Sequence, residues 1–301
     1  MLGLPRQVYM HPEDAVEFTP LEVPGLVGWW DFTDTSTMTV AVNGSGSAPT
    51  NGQAIGNIKN KATGAGKLGS YLKAVDTSED DCDGCRPTWD AGGGQGFATF
   101  DGSNDRLHTD SPNSLIIDHH KFSAFAVIHA DVEDISTNET IWSLGGTSAA
   151  DADDYIIIDF RHSVAGSDGG TYEDKAVLQF VYEAVAQNND LVSNAVLPAS
   201  RVLSSQITGS GTGGVIYYRN GSAASLGGSG ATFGGGSSIQ FIKMGLSGDA
   251  FCIGDLVNDL GAPQGNNFDG KIHEIIIINQ SVSNFTRDLL HTYLNAKHTI
   301  Y

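Results

Sequence analysis

The alternation of apolar and polar side chains is clearest between Phe268 and Lys297, where it predicts a turn, a strand and a helix in that order. Asp269 and Gly270 are typical turn residues. The strand covers residues 271–279 and alternates between two faces. One face holds Ile272, Glu274, Ile276 and Ile278, and the other holds Lys271, His273, Ile275 and Ile277. Its second half is apolar on both faces, which indicates a central strand covered on both sides.

The helix that follows has a cap residue and one apolar face. Ser283 can accept a hydrogen bond from the first turn, and Lys297 and His298 lie at the end of the helix that favours cations. The spacing predicts a buried face made of Phe285, Leu289, Tyr293 and Ala296, with Leu290 and Leu294 beside it.

The rest of the pattern predicts short strands separated by turns. Asn220-Gly221 after residues 215–219 is a strong hairpin signal. We expect about ten to twelve strands and one helix, and hence an all-β, two-sheet antiparallel sandwich. Residues 43–70, rich in Gly, Ser and Asn, are predicted to form a long loop. The main strands are predicted at residues 25–32, 97–100, 121–129, 140–144, 155–160, 176–182, 215–219, 239–244 and 271–279.

Residues 1–24 contain Pro5, Pro12, Pro20 and Pro24 and few periodic apolar positions, which predicts an extended N-terminal arm. Two hypotheses stand for this arm: a loosely attached terminus, or a docking element that lies along a partner subunit. Residues 25–301 are predicted to form one sandwich domain.

Composition and charge narrow the range of partners that the protein can bind. The chain has 301 residues, 40% of them hydrophobic, and a formal net charge of -19. This charge disfavours binding to nucleic acid phosphates or to an anionic membrane, and it favours solubility or the binding of divalent cations. No apolar run reaches the length of a membrane span, and no signal peptide is recognised.

Six motifs in order resemble a known family. The sequence from about Gly25 to its end resembles the concanavalin A-like, laminin G-like domains, and the closing helix resembles versions in bacterial surface proteins and tailed-phage virion proteins. The resemblance implies a two-sheet jelly roll, a fold shared by lectins, glycanases, adhesion modules and capsid appendages. The motifs are residues 25–32 (GLVGWWDF), 86–88 (RPT), 100–107 (FDGSNDRL), 122–128 (FSAFAVI), 217–221 (YYRNG) and 268–275 (FDGKIHEI).

Catalytic motifs of that family are missing. The strand motif Glu-x-Asp-x-Glu of its glycanases does not occur, and Asp131-Val-Glu133 is the nearest fragment. Lys271-Ile-His273 matches the Gln-x-His motif of its polysaccharide lyases only loosely. The chain is therefore predicted not to be an enzyme.

Three candidate sites come from residue type and spacing. Adjacent Trp29 and Trp30 point to opposite faces of a strand, so the outer ring can be a carbohydrate platform, with packing as the alternative. The acids of residues 79–90 follow the spacing of a calcium loop, with a solvated loop as the alternative. A second acidic loop contains two more candidate ligands. The calcium candidates are Glu79, Asp81, Asp83, Asp90, Asp151 and Asp153.

The three cysteines do not make a disulfide framework. Cys82-x-x-Cys85 lacks the further ligands that zinc needs, so a local disulfide or two free thiols are expected. Cys252 has no evident partner and is predicted to be buried.

These observations predict a non-enzymatic virion structural protein, such as a phage capsid decoration, tail or fibre subunit. Its sandwich would contact protein or host glycan, its partners would be other virion or surface subunits including copies of itself, and it would reside on the particle surface. The alternative is a carbohydrate-binding module that can use calcium; no other cofactor is expected. A glycanase or polysaccharide lyase is the third hypothesis.

Overall fold

A computed structural model provides the structure of the protein. It describes residues 18–300 apart from 65, 77, 79, 110–114, 119–121, 131–138, 149–154, 166–170, 183–188, 197–200, 208–214, 221, 225–240, 245–249, 258–262 and 264.

The first sheet, sheet A, has nine strands in the described part of the chain. Its order is β17-β16-β15-β10-β20-β7-β6-β3, and β1 also pairs with β20. The strands are β1 (Leu26–Asp31), β3 (Gln53–Ala54), β6 (Thr88–Asp90), β7 (Phe97–Asp101), β10 (Phe122–Ala130), β15 (Arg201–Ile207), β16 (Val215–Arg219), β17 (Ser222–Ala224) and β20 (Asp269–Ile278).

The second sheet, sheet B, has eleven strands in the same described residues. Its order is β14-β13-β12-β11-β19-β8-β5-β4-β2, and β18 pairs with both β11 and β9. The strands are β2 (Met38–Thr39), β4 (Asn57–Lys59), β5 (Tyr71–Lys73), β8 (Leu107–Thr109), β9 (Leu115–Asp118), β11 (Glu139–Ser148), β12 (Tyr155–Ala165), β13 (Thr171–Tyr182), β14 (Asn189–Val196), β18 (Phe241–Met244) and β19 (Ala250–Ile253).

The main hydrophobic core lies between the two sheets. Trp30 from sheet A stacks on Phe251 from sheet B, with ring centroids 4.5 Å apart. The paired strands run antiparallel, so the structure confirms the predicted all-β, two-sheet sandwich with one C-terminal helix. The hairpin predicted at Asn220-Gly221 is also present as β16 and β17. Residues 43–70 contain two short strands, β3 and β4, where the sequence predicted a long loop.

Strand β20 is central in sheet A. Its first half pairs with β7, its second half pairs with β1, and β10 follows it on the other side. Val127 pairs with Glu274 but Ile128 pairs with Ile272, so His273 is the extra residue of a β-bulge. The bulge reverses the expected alternation: Ile272 faces the core between the sheets, whereas Glu274 faces the other way. The predicted grouping of Ile272 with Glu274 is therefore wrong.

The helix α1 (Asn284–His298) packs on the outer face of sheet A, and the side chain of Ser283 caps it as predicted. Its buried face differs from the prediction. Phe285 is 73% exposed and Ala296 is also exposed. The helix instead buries Leu290, His291, Leu294 and His298 against a cluster that includes Trp29, Phe125, Val127, Ile276 and Ile278.

The helix can bury two histidines because their rings make specific contacts. The His291 ring packs edge-on against Phe125 and Tyr218. Burial and, to a smaller extent, the charge of Arg287 lower the pKa of His291 to about 4, so the ring is neutral at pH 7. His298 instead bonds through Nε2 to a carboxylate oxygen of Glu274, 2.8 Å away.

Glu274 has no solvent exposure and lies between sheet A and α1. Its Oε1 accepts hydrogen bonds from Trp29 Nε1 at 2.6 Å and from the Tyr293 hydroxyl at 3.1 Å. Its Oε2 lies 2.8 Å from both Lys297 Nζ and His298 Nε2. Three helix side chains thus meet one buried carboxylate, which fixes the rotation of α1 on the sheet.

Asp31 continues this network across the β1–β20 pair, where it lies opposite Glu274. Its Oδ2 is 2.7 Å from Lys297 Nζ and 2.9 Å from Lys61 Nζ. Burial on its own raises the pKa of Asp31, but Lys297 and the hydrogen bonds from Lys297, Thr33 and Lys61 outweigh it and hold the pKa at about 2.

The described part of the arm is packed on the domain. Thr19 caps a short 3-10 turn at Pro20–Glu22, and Val23 joins the cluster under α1. Phe18 contacts the Tyr293 ring edge-on at 6.2 Å. Among the described residues, no helix has the length and apolar character needed to cross a bilayer.

We predict that Glu274→Ala lowers the free energy of unfolding by about 3 kcal/mol, because it removes the buried acceptor shared by Trp29, Tyr293, Lys297 and His298. Urea denaturation followed by tryptophan fluorescence measures this loss. Ile276→Val on the same strand is the control and should cost about 1 kcal/mol. A Glu274→Ala loss no larger than that of the control would show that the network does not hold the helix.

The low pKa of Asp31 predicts a loss of stability in acid. Because its folded pKa of about 2 lies below the ordinary value of 3.8, its contribution is present above pH 4 and disappears as pH falls to 2. The loss should be about 2 kcal/mol, at 1.4 kcal/mol per pKa unit. Denaturation curves between pH 2 and 6 measure it, and Asp31→Asn should show a correspondingly smaller dependence. Identical pH dependence in the two proteins contradicts the prediction.

Candidate functional site

Both candidate tryptophans are buried. Trp30 is fully buried between the sheets, and Trp29 is 4% exposed beneath α1 with its indole N–H bonded to Glu274. Lys61 Nζ also lies 4.4 Å from the centroid of the Trp29 ring. The expectation that one ring lies near the surface is wrong, because the helix covers the outer face of sheet A. Neither ring face is open to a sugar in this structure.

The described acidic side chains of residues 79–90 do not point to a common site. Asp81 pairs with Lys73 at 2.9 Å, the Asp83 side chain is 84% exposed near Arg86, and Asp90 accepts a bond from the backbone of Gly92. Glu79, Asp151 and Asp153 lie outside the described residues. Within the described residues, no three His, Cys, Asp or Glu side chains are grouped to hold a metal. Calcium binding stays a prediction.

A disulfide between Cys82 and Cys85 closes the tip of this acidic loop. The loop is attached to the end of β5, because Cys82 N–H donates to Ala74 O and Val75 forms a bridge with Asp81. Cys252 is free and fully buried, as predicted. The disulfide loop therefore holds Asp81 beside the outer face of sheet B.

That outer face carries an exposed aromatic ring. Tyr71 on β5 is 52% exposed, whereas its neighbour Leu72 is fully buried in the core between the sheets. Lys59 on β4 lies directly opposite Tyr71, and Lys73 lies two residues along the same face. Side chains directly opposite on paired strands are about 5 Å apart at Cβ. We name the group formed by Lys59, Tyr71, Lys73 and Asp81 the Tyr71 surface.

The Tyr71 surface has polar groups that the protein does not use. In the part of the chain that the structure describes, neither the Tyr71 hydroxyl nor the Lys59 ammonium has a hydrogen bond or ion pair. The Lys73–Asp81 pair beside them is exposed, with 33% and 54% of the two side chains accessible. An open ring face is thus bordered by two free donors and a carboxylate acceptor, an arrangement suited to a hydroxylated ligand.

The sequence pattern did not single out Tyr71. The strand Tyr71–Lys73 has three residues, and the one apolar residue Leu72 between Tyr71 and Lys73 is too weak a pattern to show that the tyrosine faces outward. The Tyr71 surface also depends on the disulfide loop, which lies beside β5 only in the folded chain.

A further acidic group, Asp101, Asn104 and Asp105, forms a tight turn at the end of β7. Asp101 Oδ1 accepts from the backbone N–H groups of Ser103 and Asn104, and Gly102 has φ 69°. Asp105 is 6% exposed and accepts from the backbone N–H of Asp101. Burial and, to a smaller extent, the charge of Asp101 raise the pKa of Asp105 to about 7.

No family model and no curated protein sequence matches the chain. Solved structures do show similarity. Domain 4 of AbnA, a GH43 extracellular arabinanase from Geobacillus stearothermophilus, in complex with arabinotriose, is 15% identical with a TM-score of 0.50; the match covers 88% of this chain and 98% of that domain. The binding domain of Paraclostridial Mosquitocidal Protein 1 is 9% identical with a TM-score of 0.50. This match covers 90% of this chain and 53% of that chain.

A Trypanosoma rangeli sialidase is a third, more distant neighbour, with a TM-score of 0.46 and 10% identity. The match covers 92% of this chain but 34% of the sialidase, so this chain spans about a third of that protein's length. At these identities the two matches with a TM-score of 0.50 establish a shared fold, the β-sandwich.

The raised pKa of Asp105 predicts that Asp105→Asn stabilises the protein at alkaline pH. A carboxyl whose pKa is raised in the folded state contributes most to folding stability when it is protonated, below its ordinary pKa of 3.8. This stability is lost as the pH rises through the folded pKa of about 7. At pH 8 the variant should gain at least about 1 kcal/mol, and at pH 3 it should match the original protein. Thermal denaturation at both pH values measures the difference.

Asp83→Asn is the matched control, since the Asp83 side chain is 84% exposed. It should change stability little at either pH. If both variants gain the same stability at pH 8, the gain comes from the reduced net negative charge alone, and the prediction for Asp105 is contradicted.

Proposed function

We propose that this protein is a carbohydrate-binding β-sandwich domain that holds a neutral glycan on the Tyr71 surface. The observation that carries the proposal is the exposed ring of Tyr71, 52% accessible on a sheet face and opposite Lys59, whose ammonium has no hydrogen bond or ion pair within the described residues. Sugar rings present a C–H face that packs on an aromatic ring and hydroxyl groups around its edge.

The chemistry of the neighbouring side chains matches those hydroxyl groups. Lys59 Nζ and the Tyr71 hydroxyl donate hydrogen bonds, and Asp81 accepts them while Lys73 balances its charge. Lys59 and Tyr71 belong to paired strands, so their backbones are held by the sheet before ligand binds. A preformed site loses little conformational entropy on binding.

The fold supports the same function. The AbnA domain, which matches this chain over 98% of its length, is described in complex with arabinotriose. The shared sandwich supports glycan binding here, and the ligand and its position are our proposal, since the identity is 15%.

The charge of the chain favours neutral sugars over acidic ones. A net charge of -19 repels a carboxylated or sulfated glycan at long range. The two lysines of the Tyr71 surface act only locally, and one of them is already paired with Asp81. We therefore propose uncharged oligosaccharides as the ligand class.

We further propose that the protein binds glycan without cleaving it. The sequence lacks the Glu-x-Asp-x-Glu motif, and the Tyr71 surface contains one carboxylate, whereas glycoside hydrolysis generally uses two. A virion or other surface location and assembly with further subunits stay predictions from the sequence, because the neighbours named above do not include a virion protein.

We predict that Tyr71→Ala weakens binding of neutral oligosaccharides at least about tenfold, or 1.4 kcal/mol, because the stacking face is lost. Tyr71→Phe keeps the ring and should weaken binding by about threefold or less. An array of neutral oligosaccharides identifies the ligand, with arabinotriose as the first probe, and titration calorimetry measures affinity with calcium and with a chelator.

Phe285→Ala is the matched control, because Phe285 is another exposed aromatic residue, 73% accessible, but lies on α1. It should leave glycan affinity unchanged. If no neutral oligosaccharide binds, or if Tyr71→Ala binds as tightly as the original protein, the Tyr71 surface is not a glycan site. Release of reducing ends from a bound glycan would show that the protein is an enzyme.

A further inference from the structure

The outer side of α1 carries an apolar stripe that the described residues leave largely open. Phe285 is 73% exposed, Ala296 is also exposed, and Leu289 is half-buried. The stripe repeats at intervals of four, three and four residues, at Phe285, Leu289, Thr292 and Ala296. This alternation of three and four is the spacing with which one helix packs along the length of another helix.

A groove with a volume of about 520 Å³ lies along the C-terminal half of the stripe. Its size is within the range of binding pockets, roughly 300–1,000 Å³. Phe285, at the N-terminal end of the stripe, does not line it. The helix therefore carries an exposed ring at one end and an open groove at the other. The groove is lined by Phe18, Leu289, Thr292, Tyr293, Ala296 and Lys297.

The polar groups of the groove are already bonded to the protein. Lys297 Nζ lies 2.7 Å from Asp31, 2.8 Å from Glu274 and 3.2 Å from the Tyr293 hydroxyl, which accounts for its three donors. The Thr292 hydroxyl donates to the backbone carbonyl of Asp288. The groove therefore offers mainly carbon atoms to an occupant, which suits an apolar side chain.

A two-fold axis across the middle of the stripe would bring ring and groove together. In an antiparallel pair of α1 helices centred between positions 290 and 291, Phe285 of one copy lies opposite Ala296 of the other, and Leu289 lies opposite Thr292. Each bulky side chain then meets a small one, and both rings meet grooves at the same time. Such a surface is complementary to itself, so it closes with two copies.

The charge of the helix is compatible with this contact. The whole chain has a formal net charge of -19, yet residues 284–300 contain one acid, Asp288, against Arg287 and Lys297. Asp288 lies 2.6 Å from Arg287 of the same helix. This face therefore does not add to the long-range repulsion between two acidic chains.

We propose that two copies of this chain associate through α1 in an antiparallel pair, with Phe285 of each copy in the groove of the other. The helix has 15 residues and is therefore about 22 Å long. A contact made mainly by one such helix from each copy is smaller than a standard interface of about 1,600 Å². The dimer is therefore weak, and its population depends on the protein concentration.

Sedimentation velocity on the full chain tests the association. We expect a monomer at about 1 µM and mostly dimer at about 100 µM. Phe285→Ala removes the anchoring ring from both copies, so a loss of about tenfold for each ring weakens the dimer about a hundredfold. Phe285 is 73% exposed, so the variant should keep the fold, which circular dichroism checks. Tyr71→Ala is the matched control, because it removes an exposed ring from the other sheet and should leave the dimer unchanged.

Thiol cross-linking tests the antiparallel arrangement. The two copies of position 292 lie about 10 Å apart in the proposed pair, whereas the two copies of position 284 lie about 20 Å apart. A bifunctional thiol reagent with a span of about 10 Å should therefore link Thr292→Cys but not Asn284→Cys at about 100 µM protein. The natural cysteines give little background, because Cys82 and Cys85 form a disulfide and Cys252 is fully buried.

Three results would overturn the proposal. The first is a monomer in the original protein at about 100 µM, which would show that the stripe does not bind a second copy. The second is a dimer that Phe285→Ala leaves intact. The third is cross-linking through Asn284→Cys but not through Thr292→Cys. Each of the last two would show that the copies meet in a different arrangement.

Discussion

The buried carboxylate of Glu274 determines how the outer layer of this protein is built. A charge with no solvent exposure is costly unless every oxygen lone pair has a partner. Trp29 supplies one donor from the sheet, and Tyr293, Lys297 and His298 supply three from one helix. Lys297 and His298 follow Tyr293 by four and five residues on α1, so the three side chains share one side of the helix and only one rotation of the helix satisfies the carboxylate. That rotation buries Leu290 and Leu294 and turns Phe285 and Ala296 outward.

The bulge at His273 makes this arrangement compatible with a central strand. Without the extra residue, Glu274 would share a face with Ile272, and one of the two would be on the wrong side of sheet A. With it, β20 places Ile272 in the core between the sheets and Glu274 under the helix. The bulge also marks the point where the partner of β20 changes from β7 to β1. His273 is accommodated as a neutral ring, because burial and, to a smaller extent, the neighbouring His298 lower its pKa to about 4.

Local patterns were enough to predict the closing strand, the capped helix, the Asn220-Gly221 hairpin and the buried Cys252. They failed where tertiary partners decide the outcome. The helix has two apolar stripes, and spacing alone cannot show that ring contacts and Glu274 bury His291 and His298 in preference to Phe285. Trp29 is also buried through a tertiary contact, because its indole N–H bonds to Glu274 beneath the helix. Strands β3 and β4 have two and three residues, which is too few for a periodic signal. Because the surrounding residues have the composition of a loop, the sequence predicted a loop there. The exposure of Tyr71 depends on which face of sheet B meets the core, and this follows from the packing of Leu72.

The outer faces of the two sheets differ in how their polar groups are paired. On the Tyr71 surface, the Tyr71 hydroxyl and the Lys59 ammonium have no hydrogen bond or ion pair within the described residues, so a ligand with many hydroxyls would gain hydrogen bonds there. Beside α1, the polar atoms of Lys297, Tyr293 and Thr292 are already bonded within the protein, so an occupant would gain mainly from burying apolar area. The Tyr71 surface lies on the outer face of sheet B, and α1 covers the outer face of sheet A, with the main core between them. A ligand on the Tyr71 surface would therefore lie on the opposite side of the sandwich from α1, and any coupling between the two faces has to pass through the sandwich itself.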